Sequence, residues 1–418
     1  PANNDYEKPP FPSDLADTDK SEWTEEMERR FSDWKREVVG VHQSNASLQG
    51  KRFQFFLKLQ MSRKFREEPE IYFPHVCDWR FRIYPLTPHV NPQGDDVAKG
   101  LLEFAEGKPL GETGVWWLKV HLANTAGVDK LSFEDRIAWT EAHEEYIKAC
   151  AEDPYNNRWW VEQEEPFQFL AACFDYLGYL REGPDHVSYL PIGQDGSNNG
   201  LQHLSMMLRD ADGGKAVNLL PGDAPEDVYE DVRKIVDQIV DKDAREGDEN
   251  AQAWQGIVSR KVCKRPVMTL CYGATVYGWT DQIKAELKKL NERHPELVPA
   301  GDTHRNSVYL AKAIDKGIKQ VLQAAPKAMQ WMQQVARVAA KQNLPIWWTT
   351  PVGAWVLQDY KKEHQKRISC LLGGHNIKLT VRQDEEQVDP KRQANGVSPN
   401  VVHSFDASHL MDTVNRCL

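Results

Sequence analysis

Apolar residues recurring at intervals of three and four constrain this chain more than any other feature, because only a helix gathers such positions onto one face. The stretch "SEWTEEMERRFSDWKREVV" sets Trp23, Met27, Phe31, Trp34 and Val38 in that rhythm. It predicts a helix from Ser21 to about Arg66, with Ser21 and the glutamates behind it as the capped start. "APEDVYEDVRKIVDQIVDK" predicts a second amphipathic helix over Ala224–Lys242. Further helices are expected over Asp135–Cys150, Pro166–Leu180 and Leu201–Arg209. A long one is expected from about Thr303 to Lys341, kinked at Pro326. Strands are few: Glu70–Leu86, Val187–Gly193, and two stretches beginning at Ile346 and Arg367 that read as paired strands, with Gly373-Gly374 as a turn. The expected class is helix-rich α/β.

At 418 residues the chain has room for two or three domains. Its 40% hydrophobic and 27% charged content is that of a soluble globular protein. No apolar run approaches the roughly 20 residues of a membrane helix, so no membrane partner is expected. Seven scattered cysteines without a CxxC pair read as free thiols rather than a zinc site. The net charge of −10 argues only weakly against nucleic acid, because the cations are clustered. "KRFQFFLKLQMSRKFR", "SRKVCKR" and "KKEHQKR" suit a channel for phosphates, while the acidity sits largely in Asp14–Glu28 and Asp241–Glu249. The chain opens on Pro1 and stops at Leu418 inside a helical pattern, so a piece of a longer protein is expected.

Two stretches carry chemistry. In "YLPIGQDGSNNGLQH" an apolar strand runs into Asp195, then small residues, then a helix, which is a common way to offer a carboxylate to a cation. In "SRKVCKRPVMTLCYGATVYGW", read as a helix, Arg260 and Lys264 share a face. Tyr272 follows about 80° round and roughly 12 Å along the axis. Two cations and then a hydroxylated ring can serve a triphosphate at one end and a sugar and base at the other. Arg260 suits a planar grip on oxygens, and Lys264 is a compact charge for a leaving pyrophosphate. Gly273 lets the backbone pass closely. On this stretch alone, a surface helix with a basic i,i+4 pair and a core tyrosine is the stronger reading, and Asp195 alone could be a helix cap.

Taken together, Asp195-Gly196 and Arg260-x3-Lys264-x7-Tyr272-Gly273 resemble the first two signature motifs of right-hand nucleic-acid polymerases. "DGSNNGLQHLSMMLRD", "GGKAVNLLPGDAPEDVY", "KRPVMTLCYG", "NPQGDDVAKGLL" and "VCDWRFRIY" resemble the single-subunit, phage-type DNA-directed RNA polymerases, a family shared with mitochondria. "FQFFL", "GVDKL" and "AVNLLP" look nearer to the phage branch.

The resemblance implies a right-hand polymerase fold. A thumb remnant would span 1–68. A palm with a small antiparallel sheet would span 69–222, with a helical insertion at about 108–182. Helical fingers would span 223–403, and 404–418 would return to the palm. It implies DNA-templated RNA synthesis from NTPs with two Mg²⁺ ions, bound by Asp195 and the Gly196 carbonyl. It assigns Asp195, Lys264 and Tyr272 to catalysis. Arg260, Lys264, Tyr272, Gly273, Lys130, Tyr229 and His403 would bind nucleotide, while Arg82 and Arg367 would touch nucleic acid. Arg367 lies in a promoter-reading hairpin, about 366–382. The expected partners are a double-stranded DNA promoter and template, nascent RNA and NTPs, bound by a monomer in the cytoplasm of an infected bacterium.

A DNA polymerase of the same fold is the nearer rival. It would carry a bulky glutamate where this chain has the open run Gly196–Gly200. The other rival is a catalytically dead nucleic-acid-binding module. Three departures stand out: Pro266 inside the basic helix, Phe81 where the family pattern has glycine, and "SFDASH" in an altered phrase. The third family motif, with its second metal-binding aspartate, is expected beyond Leu418. Asp406 is not taken as its substitute, so this stretch alone is not expected to polymerise.

Overall fold

The computed structural model describes residues 6–16, 18–194, 196–222 and 225–417. Among them the strands form four separate two-stranded ladders. β1 (His75–Cys77) pairs with β2 (Ile83–Pro85), and β3 (Lys108–Pro109) with β4 (Val187–Ser188). β5 (Ile346–Thr349) pairs with β6 (Trp355–Gln358), and β7 (Lys361–Leu372) with β8 (His375–Val388). The last three pairs are antiparallel.

The chain divides into two compact units. Unit 1 comprises residues 1–75 and 85–193. Its helices are α1 (Ser13–Ala16), α2 (Glu25–Phe65), α3 (Asp96–Gly100), α4 (Gly111–Thr125), α5 (Phe133–Ala142), α6 (Glu144–Glu152) and α7 (Pro166–Glu182). Leu118, Leu122, Ile147, Phe169 and Tyr176 make its core. α2 begins at Thr24, whose hydroxyl accepts from the Met27 N–H, rather than at Ser21. Ser21 instead lies in a short 3₁₀ turn capped by Asp19. The strand expected over Val187–Gly193 shrinks to β4, because only Val187 and Ser188 find ladder partners.

Unit 2 comprises residues 76–84 and 194–418. Its helices are α8 (Asn199–Leu208), α9 (Ala211–Ala216), α10 (Val228–Arg245), α11 (Glu249–Trp254), α12 (Arg260–Thr269), α13 (Val276–Arg293), α14 (Thr303–Val321), α15 (Ala324–Lys341) and α16 (Pro390–Cys417). α10 shows why the pattern works. Val228, Val232, Val236 and Val240 are buried at intervals of four, among Trp254, Trp279, Leu310 and Ile314. Each such side chain contributes about 1.5–3 kcal/mol of burial.

Proline divides the helix expected over Thr303–Lys341. Pro326 cannot donate to the Leu322 carbonyl, so α14 stops at Val321, Leu322 turns extended, and Pro326 sits in the first turn of α15. Glu70–Leu86 is likewise no single strand. Asp78 interrupts it by accepting the backbone N–H groups of Arg80 and Arg82, at 2.8 and 3.0 Å. The resulting turn places Phe81 at φ 67°. That left-handed backbone is the physical reason a glycine would suit this position.

Candidate active site

The loop entering α8 is built by its two asparagines. Asn198 caps the helix by accepting from the Leu201 N–H at 3.1 Å, and its amide reaches the Tyr229 hydroxyl at 3.4 Å. Asn199 bridges farther. Its Nδ2 donates to Asp406 Oδ1 at 2.9 Å, and its Oδ1 accepts from the Tyr272 hydroxyl at 3.0 Å. Within the run Gly196–Gly200, Gly196 and Ser197 are exposed, while the Asn198 and Asn199 side chains turn to these partners. Asp195 lies outside the described residues. α8 approaches Tyr272 this closely because Gly200 lacks a Cβ, which would stand 2.8 Å from Cys271 Cβ.

Tyr272 ends the second stretch, though not on a continuous α-helix. α12 closes at Thr269, with Pro266 inside it, and Leu270–Tyr272 is a 3₁₀ turn. Gly273 then takes φ 75°, with its Cα side against the Asn395 carbonyl of α16, where a Cβ would come within 3.0 Å. The Tyr272 ring lies 5.1 Å from the His403 ring, centre to centre. Burial and the Asp406 charge push the Tyr272 phenol's pKa up, so it stays protonated.

Asp406 is the hub. Arg82 Nη2 donates to its Oδ2 at 2.5 Å while Asn199 holds Oδ1, and His203 Nε2 lies 3.8 Å away. Burial opposes the charge on this carboxyl, but these donors outweigh it and hold its pKa well below the usual carboxylate range. Arg80 forms the parallel arm. It donates to Asp78 Oδ2 at 2.6 Å and meets His403 Nδ1 at 2.9 Å. Burial, with the nearby Arg82 and Arg80 charges, lowers the His403 pKa to about 4. His403 is therefore neutral near pH 7.

The two cations of α12 differ. Arg260 donates to Asp227 Oδ2 at 2.6 Å and lies over the Tyr229 ring at 5.3 Å. Lys264 is exposed and makes no ion pair among the described residues. Tyr229 is buried and donates to the Ser197 carbonyl at 3.1 Å, so it braces the loop before α8.

Unit 2 thus gathers Arg82, Tyr229, Arg260, Tyr272, Gly273 and His403 into linked contacts, with Lys264 on the same helix as Arg260. Arg367 stands on the exposed β7–β8 ribbon. Lys130 belongs to unit 1, in an exposed turn where it pairs with Asp129. Asn199 and Arg80, which sequence reasoning passed over, and Asp406, which it weighs only as a metal ligand, complete these contacts. The one signal for the first was a double Asn at a helix start, which invites a cap.

The Mg²⁺ expectation rests on Asp195, which lies outside the described residues. Among the described residues no group of three or more His, Cys, Asp or Glu could hold a metal ion. Asp406 cannot substitute, because both its oxygens are engaged by Arg82 and Asn199.

Comparison with known proteins identifies the family. A family model described as DNA-dependent RNA polymerase matches residues 108–418. The DNA-directed RNA polymerase of Enterobacteria phage T3 is 37% identical, covering 99% of this chain and 50% of the phage protein. T7 RNA polymerase of Escherichia phage T7 is 36% identical, covering 91% of this chain and 48% of its own length. The mitochondrial DNA-directed RNA polymerase 1 of Nicotiana sylvestris is 41% identical, covering 94% of this chain and 39% of its own length. The nearer likeness to the phage branch expected from short phrases is not carried by these identities. The chain spans about half the length of these relatives or less. With a match over residues 108–418 and such relatives on both the phage and organellar sides, the chain belongs to the DNA-dependent RNA polymerase family.

Proposed function

We propose that this chain is the nucleotide-selecting part of an enzyme that copies DNA into RNA, joining NTPs to the 3′ end of a growing transcript. The observation that carries this reading is the link between the two stretches: Tyr272, at the end of the basic α12 segment, is hydrogen-bonded to Asn199, four residues after Asp195 in the sequence. A basic helix tied through one tyrosine to the stretch that carries Asp195 in the sequence suits a nucleoside triphosphate.

In this reading the 3′ oxygen of the transcript bonds to the α-phosphorus while the bridge to the β-phosphate breaks and pyrophosphate leaves. Lys264, exposed and without an ion pair among the described residues, places a positive charge, or a proton, on that leaving group. Arg260 is held ready by Asp227 and exchanges that carboxylate for phosphate oxygens, a swap between two anions of similar geometry. Tyr272 and His403 meet the ribose. The two Mg²⁺ ions implied by the family would be held by Asp195 with the Gly196 carbonyl.

The thumb, palm and fingers assignments at 1–68, 69–222 and 223–403 belong to the same proposal, as do Lys130 at the incoming nucleotide, a monomeric state and action in a phage-infected bacterium. Arg367 would read DNA. The register of β7 and β8 supports this, because it sorts the ribbon into two faces. Arg367, Lys378, Arg382, Gln365 and Asn376 share one, while Ile368, Leu372, Ile377, Leu379 and Val381 share the other. The first is a hydrogen-bonding surface of the kind that fits a major groove.

Primer extension by the full-length polymerase tests the reading. Lys264→Ala should lower kcat/KM for NTPs by about 10²-fold or more, and Asp195→Asn by several orders of magnitude with DNA binding retained. Tyr272→Phe should erode the preference for NTPs over dNTPs. Better extension with dNTPs by the unmodified enzyme would instead support a DNA polymerase. An Asp195→Asn variant whose activity stays at the same background as the unmodified protein would support a catalytically dead binding module.

A further inference from the structure

Around Tyr272 and His403 the donor and acceptor roles are not free to vary, because each chain of contacts starts at an arginine. Arginine only donates, and an ionised carboxylate only accepts. Arg82 occupies Asp406 Oδ2, and Oδ1 must then face a donor, so the Asn199 amide has to present Nδ2 to it. That fixes Asn199 Oδ1 on the other side, where the Gly200 N–H also donates to it at 2.9 Å. A carbonyl oxygen only accepts, so the Tyr272 hydroxyl spends its single proton on Asn199. Only lone pairs remain on that oxygen for a ligand. The second chain is shorter. Arg80 donates to His403 Nδ1, so a neutral His403 carries its proton on Nε2 and can only donate there.

We infer that Asn199, oriented by Arg82 through Asp406, is a specificity-determining positioning residue that makes Tyr272 an obligate acceptor, while Arg80 makes its neighbour His403 an obligate donor. A hydroxyl can satisfy both at once, donating to Tyr272 and accepting from His403. A C–H in the same place satisfies neither and leaves two desolvated polar groups unpaired, which is how a hydrogen-bonding site rejects an analogue lacking its group. This rests on the proposal that Tyr272 and His403 meet the ribose. It adds that the selection is written by residues that never touch the sugar. Replacing Asn199 frees the phenol proton to rotate, so the acceptor is no longer guaranteed.

The test is the ratio of kcat/KM for an NTP to that for the matching dNTP, in the full-length polymerase. Asn199→Ala should lower the ratio by about three- to ten-fold, the range of one hydrogen bond. Tyr272→Phe should lower it too, and the double variant should fall no further than Tyr272→Phe alone. Asp406→Asn keeps the shape but lets the side chain donate as well as accept. It serves as the second variant should Asn199→Ala fold poorly, and it should also lower the ratio. Wild-type discrimination in a folded Asn199→Ala or Asp406→Asn enzyme, beside a Tyr272→Phe that has lost it, overturns the positioning role alone. An additive double variant overturns it as well, since Asn199 would then act on its own. Wild-type discrimination in both Tyr272→Phe and His403→Ala is a different failure: it sinks the reading of this site as the one that meets the sugar.

Discussion

The Tyr272 network and the β7–β8 ribbon belong to the same compact unit yet are built on opposite plans. In the network Tyr272, Asp406 and His403 are part-buried and held by Asn199, Arg82 and Arg80. In the ribbon only Val388 is buried, and Leu371 and Leu372 are 77% and 69% exposed. A network whose proton positions are forced can tell a hydroxyl from a hydrogen because nothing in it can readjust. A ribbon held only by its own ladder and a Gly373-Gly374 turn has side chains free to meet a surface brought to it. Selection of a small substrate calls for the first plan, and contact with a long polymer tolerates the second.

That contrast makes opposite demands on mutants. The largest loss of stability is expected in the network: Asp406→Ala leaves Arg82 without its partner and should cost about 2–3 kcal/mol, read from urea unfolding. A change below about 0.5 kcal/mol would mean the hub is an ordinary surface pair. On the ribbon, Arg367→Ala should weaken binding to the cognate promoter by an amount worth about 1–3 kcal/mol, with an unchanged unfolding midpoint. Promoter binding equal to wild type would remove Arg367 from the reading face.

Acid should separate the regions as well. The folded-state pKa of His403 is lowered from 6.5 to about 4. The unfolded chain therefore binds that proton more tightly, and stability present above about pH 6.5 is lost as pH falls towards 4. The Asp406 pKa is also lowered, so its contribution is lost only under stronger acid, below the ordinary carboxylate range. The expected decline between pH 6.5 and 4 is at most about 1–2 kcal/mol given partial exposure. His403→Gln should flatten it, whereas Arg367→Ala should not. The smallest effect is local. Gly374 sits at φ 81°, so Gly374→Ala should add about 1 kcal/mol of strain. That strain should speed amide exchange in the ribbon and leave exchange around Asn199 as it was.

The sequence made the helices legible because their apolar spacing is local: α10 buries its valines on the expected face, although it starts at Val228, after the Asp227 cap, rather than at Ala224. It also exposed the Gly-Gly turn and the oddity at Phe81, since backbone conformation leaves its mark on single residues. Pro326 reads as a kink in the sequence and is a break in the structure, because it has no N–H to continue α14 and Leu322 turns extended before α15 begins. Motif spacing pointed to Tyr272, Arg260 and Lys264. It could not point to Asn199, Asp406 and Arg80. Asn199 and Asp406 meet across 207 positions, and Arg82 and Asp406 across 324, with no periodicity to join them. Asp406 was weighed only as a metal ligand, because an aspartate seen alone shows its charge and hides the arginine that neutralises it.

The most direct measurement is a crystal structure of the full-length polymerase with primer, template and a non-hydrolysable NTP. The Tyr272 hydroxyl should lie about 2.7–3.2 Å from the ribose 2′ oxygen, still donating to Asn199, with Arg260 moved from Asp227 onto phosphate. A nucleotide bound away from Tyr272, or one seated there while Arg260 keeps its grip on Asp227, would contradict the role given to this site.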